Sequence, residues 1–179
     1  MRSAFAPAHI TGFLEISMNS NPLYCGSRGA GVSIQHGVIT TVRAVHSKST
    51  EVNIKINGIN ANTFPVSENV ISKILSKTSK NYSIYVDHNV QVPIGAGLGS
   101  SGSMALSLVY ALNAELDLDL SILESAQIAH IAEIECGTGL GTVIAEYFGG
   151  FEIRSKPGAP GIGNIVNFRS ESDDVIVIA

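Results

Sequence analysis

Cysteine is scarce in this chain: 179 residues carry two, Cys25 and Cys136. A secreted domain held by disulfides carries more, at regular spacings, so a reducing cytoplasm is the compartment expected. No stretch approaches the roughly 20 apolar residues of a membrane span. The opening MRSAFAPAHITGF has no apolar core of signal-peptide length before His9 and Thr11 interrupt it. Basic clusters are missing too, and with a net charge of -4 this argues against nucleic acid as a partner. Charge is sparse, at 15% of residues, while 45% are hydrophobic. That balance excludes a disordered chain and supplies a sizeable core. The expectation is a soluble, cytoplasmic globular protein of one domain or slightly more, with neither membrane nor nucleic acid as partner.

Strand signals fill the first third. Ser3 to Ala6 and Thr11 to Ile16 flank a kink at Pro7-Ala8-His9, and Glu51 to Ile56 alternates apolar and polar residues. Gly29 to Gln35 and Val38 to His46 are expected to form a hairpin at His36-Gly37, since glycine tolerates positive φ; Asn57-Gly58 reads as a type I′ turn. Ser67 is a plausible N-cap for a helix to about Thr78, with Val70, Ile71, Ile74 and Leu75 on one face. Tyr82 to Val92 reads as a strand and Ser101 to Asn113 as a helix. Ser121 with Glu124 makes a capping box for a helix through Ile134. Gly137 to Gly141 precedes a short helix that ends at Gly149-Gly150. Phe151 to Arg154, Asn164 to Phe168 and Asp174 to Ala179 close the pattern as strands. Antiparallel strands with helices inserted late predict an α+β fold. The last strand signal stops with no turn after it, which predicts a fragment whose exposed face is covered by a second copy or a second chain.

The densest motif is Pro93-Ile-Gly-Ala-Gly-Leu-Gly-Ser-Ser-Gly-Ser103, with four glycines and three serines opening a helix. Glycines let backbone approach a ligand, and a helix N-terminus offers unpaired N–H groups with a partial positive charge. Serine hydroxyls add donors or a Mg²⁺ ligand. Such a loop suits phosphate, although a flexible capped turn has the same composition. Gly97-x-Gly99-x-x-Gly102 also matches the dinucleotide fingerprint, with Asp117 or Asp119 as its acidic partner. Against this, about ninety residues of β-rich chain precede the loop. It lacks the lysine of a G-x-x-x-x-G-K-S/T loop, and no G-x-S-x-G elbow marks a hydrolase.

Pro93, Gly97, Leu98, Gly99, Ser100 and Ser101 match the GHMP kinase pattern P-x-x-x-G-L-G-S-S-G/A position by position. Ala6-Pro-Ala-His-Ile-Thr-Gly12 resembles the superfamily's first motif, with Ala8 for glycine and His9 for lysine. That segment, Gly26 to Gly31, Ala129 to Glu133 and Thr138 to Gly141 look most like the archaeal pantoate kinase branch. The resemblance covers essentially residues 1–179. It implies an N-terminal domain like the second domain of ribosomal protein S5, with the ferredoxin-like C-terminal domain missing. It also implies ATP-dependent phosphorylation of pantoate to 4-phosphopantoate in coenzyme A biosynthesis, with shikimate, homoserine or mevalonate as alternative acceptors. Mg²⁺ and ATP are the implied cofactors, and Pro93, Gly95, Gly97, Leu98, Gly99, Ser100, Ser101, Gly102 and Ser103 the implied nucleotide-binding residues.

The resemblance also assigns roles beyond the loop. Glu133 corresponds to an acidic Mg²⁺ ligand acting with Ser101, and Glu135 is its rival two residues on. Many relatives place a catalytic aspartate seven residues before a Gly-Gly pair. Here that position is Thr142, which cannot accept a proton as carboxylate does. A kinase without the base is still credible, because phosphoryl transfer depends mostly on positioning and charge neutralisation. A degenerate nucleotide sensor is the other outcome. His9, Ser27 and Arg28 are candidates for the acceptor's carboxylate, arginine for its bidentate fork; a packed His9 and a surface Arg28 are the alternatives. His36, His46 and His88 have no metal-ligand spacing and read as surface residues.

Overall fold

The structure, a computed structural model, describes residues 1–60 and 63–168. The expected strand at Asp174 to Ala179 lies outside them. Twelve elements follow in order: strand β1 (Arg2–Ser17), a 3-10 turn (Pro22–Tyr24), strands β2 (Gly26–His46), β3 (Glu51–Ile56) and β4 (Ile59–Asn60), helix α1 (Pro65–Leu75), strand β5 (Tyr82–Val90), helices α2 (Ser100–Leu116), α3 (Ile122–Cys136) and α4 (Thr142–Phe148), and strands β6 (Phe151–Lys156) and β7 (Asn164–Phe168). This is the α+β arrangement the sequence predicts.

The strands form one sheet in the order β4-β3-β5-β2-β6-β7, with β1 paired to β2. β2 is its spine: Val38 to His46 pair with β5, Gly29 to Val32 pair with β6, and β1 lies antiparallel along its other edge. The hairpin expected at His36-Gly37 does not form, because β2 runs straight through it. Gly37 serves close packing instead: a Cβ there would overlap the Ala6 carbonyl oxygen on β1. The kink expected at Pro7 to His9 is a register shift within one continuous strand, as a bulge produces. The Asn57-Gly58 turn is present, with φ of 49° and 77° joining β3 to β4.

Four helices cover one face of the sheet. α2 lies at the centre, with Ala105, Leu108, Val109, Ala111 and Leu112 buried completely against β1, β2, α1 and α3. The Ser121–Glu124 capping box opens α3 as expected. α1 starts earlier than expected, with Pro65 in the first turn after Phe64. Ser67 is therefore no cap. Its Oγ lies 3.1 Å from His88 Nε2, and His88 Nδ1 lies 2.7 Å from Thr40 Oγ1. His88 is fully buried, not a surface residue: it shares the inward parity of Ile84 and Val86 on β5. Burial lowers its pKa to about 4.

Candidate functional site

The glycine loop leaves β5 and enters α2 through three left-handed glycines, Gly95, Gly97 and Gly99, with φ of 77°, 76° and 69°. At Gly95 and Gly97 an added Cβ would meet nothing within 4 Å, so the open space lies over the loop. Gly99 is the N-cap of α2 and no side chain caps it, which leaves first-turn N–H groups facing outward. The loop backbone is anchored to β1 by His9 N–H donating to the Leu98 carbonyl at 3.1 Å.

A cavity of about 480 Å³ opens over this loop. Gly95, Gly97, Leu98, Gly99, Ser100 and Ser101 form one side of it, and Phe64, Pro65, Val66, Ile94 and Met104 give it an apolar wall. Three loop residues expected to bind a nucleotide stand outside this wall. Pro93 is exposed, while Gly102 and Ser103 are buried on the inner side of the helix.

Ser101 Oγ donates to Glu133 Oε1 at 2.5 Å, joining α2 to α3. Glu133 is buried, and burial raises its pKa although hydrogen bonds from Ser101 and Thr138 oppose the rise. Glu135 faces elsewhere: Lys73 Nζ donates to its Oε1 at 2.9 Å and Asn69 Nδ2 to its Oε2 at 3.0 Å. The hydrogen bond from Lys73 holds the Glu135 pKa down. Of the two glutamates, Glu133 is the one brought to the loop. A carboxylate and a hydroxyl side by side are the hard oxygen donors that suit Mg²⁺.

A second cavity of about 270 Å³ adjoins the first. Thr138 and Thr142 belong to both walls. Thr11, Leu14, Ile16, Ser27 and Arg154 line the second pocket on the sheet side. Among the described residues, Ser27 Oγ is buried without a hydrogen-bond partner, as is Arg154 Nε. Strand register explains which side chains arrive here. Leu14, Gly29 and Arg154 are cross-strand partners on one face, while Glu15 and Arg28 pair on the other.

Arg28 is thus outside the pocket: it is 61% exposed and lies 3.7 Å from Glu15. His9 is also absent from the wall. Its Nε2 lies 3.0 Å from Glu152 Oε1, and the same carboxylate oxygen accepts from Arg154. His9 therefore orients the arginine through Glu152. The sequence reading missed Arg154, whose only local signal is its alternation with Glu152 on a short strand. It also missed Glu146, which is fully buried against the inner side of the loop. Burial, with the nearby Glu133 charge, pushes its carboxyl well above the usual range.

The topology does not suit a dinucleotide site. That fingerprint needs a parallel strand after its helix; here α2 is followed by α3, and Asp117 and Asp119 lie in the connection with φ of 49° and 54°.

The family described as the GHMP kinases N terminal domain matches residues 66–150, from α1 through the loop to the glycine pair after α4. Over those residues the chain carries the GHMP kinase N-terminal domain. The relatives matched over most of this chain include pantoate kinases. The sequence is 44% identical to the pantoate kinase of Methanocaldococcus jannaschii over 87% of this chain and 54% of that protein. It is 35% identical to the pantoate kinase of Thermococcus kodakarensis over 98% of this chain and 58% of that one. A solved phosphotransferase related to the CoA biosynthesis pathway superimposes with a TM-score of 0.83, 32% identity, and coverage of 94% of this chain and 57% of that one. The chain spans about half the length of the relatives it matches. Among the described residues, no helix is long and apolar enough to cross a membrane.

Proposed function

We propose that this chain holds the phosphoryl-transfer site of an ATP-dependent kinase. In this reading the acceptor is a small hydroxy acid, pantoate, and the product is 4-phosphopantoate on the way to coenzyme A. The observation that carries the reading is the meeting of two cavities at Thr138 and Thr142. One has the glycine cradle and uncapped helix that suit phosphates. The other has an arginine fork and a free hydroxyl that suit a carboxylate.

Each side chain then has a task. Loop N–H groups and Ser100 receive the nucleotide's phosphates, and the Phe64 to Val66 wall takes the base. Ser101 and Glu133 would hold Mg²⁺, which when bound neutralises charge on the transferring group. Arg154 and Ser27 grip the acceptor carboxylate, and Leu14 and Ile16 offer an apolar surface to a branched aliphatic body. Thr142, at the shared wall, positions the acceptor hydroxyl and takes no proton as carboxylate would. Rate enhancement in this site comes from alignment and charge neutralisation. The two free cysteines fit a reducing cytoplasm.

The test is a phosphate-transfer assay with Mg²⁺·ATP and a panel of pantoate, shikimate, homoserine and mevalonate. Slow transfer to pantoate alone is the expected result. Transfer to shikimate instead would remove the acceptor assignment and leave the kinase standing. Thr142 also favours a second reading, a nucleotide-binding sensor, because the usual carboxylate is missing from the shared wall. Thr142→Asp separates the two: a silent wild type and an active variant support the sensor, and an active wild type removes it.

A further inference from the structure

Glu146 lies on α4 one turn after Thr142, and its side chain belongs to neither cavity wall. It fills the space behind the loop. A Cβ at Gly99 would stand 2.6 Å from Glu146 Oε1 and 2.7 Å from Thr142 Cγ2. A Cβ at Gly102 would stand 2.6 Å from Oε2 and 3.2 Å from Cδ and from Oε1. The two glycines differ in an informative way. Gly99 has a φ of 69° and needs glycine for its backbone alone. Gly102 sits inside α2 without a positive φ, where alanine is normally the better helix former. The three nearest atoms its methyl group would meet all belong to the Glu146 carboxyl.

Hydrogen bonding points the same way. Ser103 Oγ lies 2.7 Å from the Pro7 carbonyl, 3.1 Å from the Gly99 carbonyl and 3.1 Å from Glu146 Oε1. A hydroxyl carries one proton, and the shortest contact gives it to Pro7. Ser103 Oγ is also within donating distance of Oε1, and among the described residues Oε2 has no hydrogen-bond partner. One buried side chain thus touches the loop, the first turn of α2 and the serine that ties α2 to β1.

We propose that Glu146 is a positioning residue for the phosphate loop: its carboxyl group fills the space behind Gly99 and Gly102 and sets how closely the α2 N-terminus approaches Thr142. The role, though not the packing, rests on the nucleotide reading above. Misplacement of about 1 Å in such a site is enough to cost about a hundredfold.

Four variants test this: Gly102→Ala, Glu146→Ala, the double variant, and Glu146→Gln. Each is followed by thermal unfolding and by calorimetric titration with Mg²⁺ and a non-hydrolysable ATP analogue. Gly102→Ala is expected to lower the thermal midpoint and weaken analogue binding about tenfold. Adding Glu146→Ala is expected to return the midpoint towards wild type, a non-additive pair. Glu146→Gln keeps the shape and is expected to bind the analogue more tightly than Glu146→Ala does. Should Gly102→Ala fail to fold, recovery of folding in the double variant supports the proposal and its absence overturns it. Additive effects overturn it, as does a Glu146→Ala protein with wild-type affinity. A wild type that binds no analogue sinks the nucleotide reading and the role with it, while the midpoints still report whether the carboxyl fills the space.

Discussion

Taking away the Arg154 guanidinium would strand the Glu152 carboxylate, which is buried and shared with His9. Removing one member of such a group costs about 3–5 kcal/mol, so Arg154→Ala is expected to report on folding. Its thermal unfolding checks that. Arg154→Lys keeps the charge and loses the fork. It is expected to raise the acceptor KM about tenfold or more, with nucleotide affinity unchanged. Arg28→Ala, outside the pocket, is expected to leave that KM within about twofold; steady-state kinetics at fixed ATP distinguish the two arginines. At Gly99 the expected effect is on the other substrate. Gly99→Val places a branched side chain at a φ of 69° against Glu146 and Thr142, and calorimetry is expected to show no nucleotide binding. The bend of the loop was legible in the sequence because glycines and serines state their geometry locally, whereas Glu133 was singled out from Glu135 through the family resemblance and not through its own surroundings. Arg154 and Glu146 were not legible. Their placement follows from contacts such as His9 with Glu152, 143 residues apart, and from a strand parity that Arg28 alone does not reveal.

Between elements, the buried polar chain Ser67–His88–Thr40–Ser107 ties α1, β5, β2 and α2 together beneath the apolar core. His88 has a pKa of about 4 in the folded chain against an ordinary value of 6.5. The depressed value means that folding favours the neutral ring. Stability from this group is complete above pH 6.5 and is lost as pH falls from about 6.5 towards 4, up to about 3 kcal/mol. Denaturant unfolding at pH 7 and pH 4.5 is expected to show a smaller pH-dependent loss for His88→Gln than for wild type. An equal loss in both proteins would assign the pH dependence to other groups. Element starts and turns were legible where a side chain closes a local bond, as Ser121 and Glu124 do at α3. The long β2 was not, because Gly37 punctuates the sequence like a turn while its real constraint is the Ala6 backbone on a neighbouring strand.

At the scale of the whole molecule, the sheet presents apolar rows on the side away from the pocket. Phe13, Ala30, Ile153 and Val166 are successive cross-strand partners, and Val32, Phe151 and Phe168 form the next row. Phe13 is 69% exposed, Phe168 52% and Ile153 46%, too much apolar surface in one place for an isolated monomer. Sedimentation equilibrium is expected to give a mass above the 18.8 kDa of one chain, and a monodisperse monomer would contradict that. The claim on which the rest depends is that the cavity over Gly95 to Ser101 receives a nucleotide triphosphate. It is tested most directly by calorimetric titration of the full chain with Mg²⁺ and a non-hydrolysable ATP analogue, beside an identical titration with NAD. Saturable binding of the ATP analogue that is lost without Mg²⁺, and no heat from NAD, is the result predicted; NAD binding with no response to the ATP analogue would contradict it.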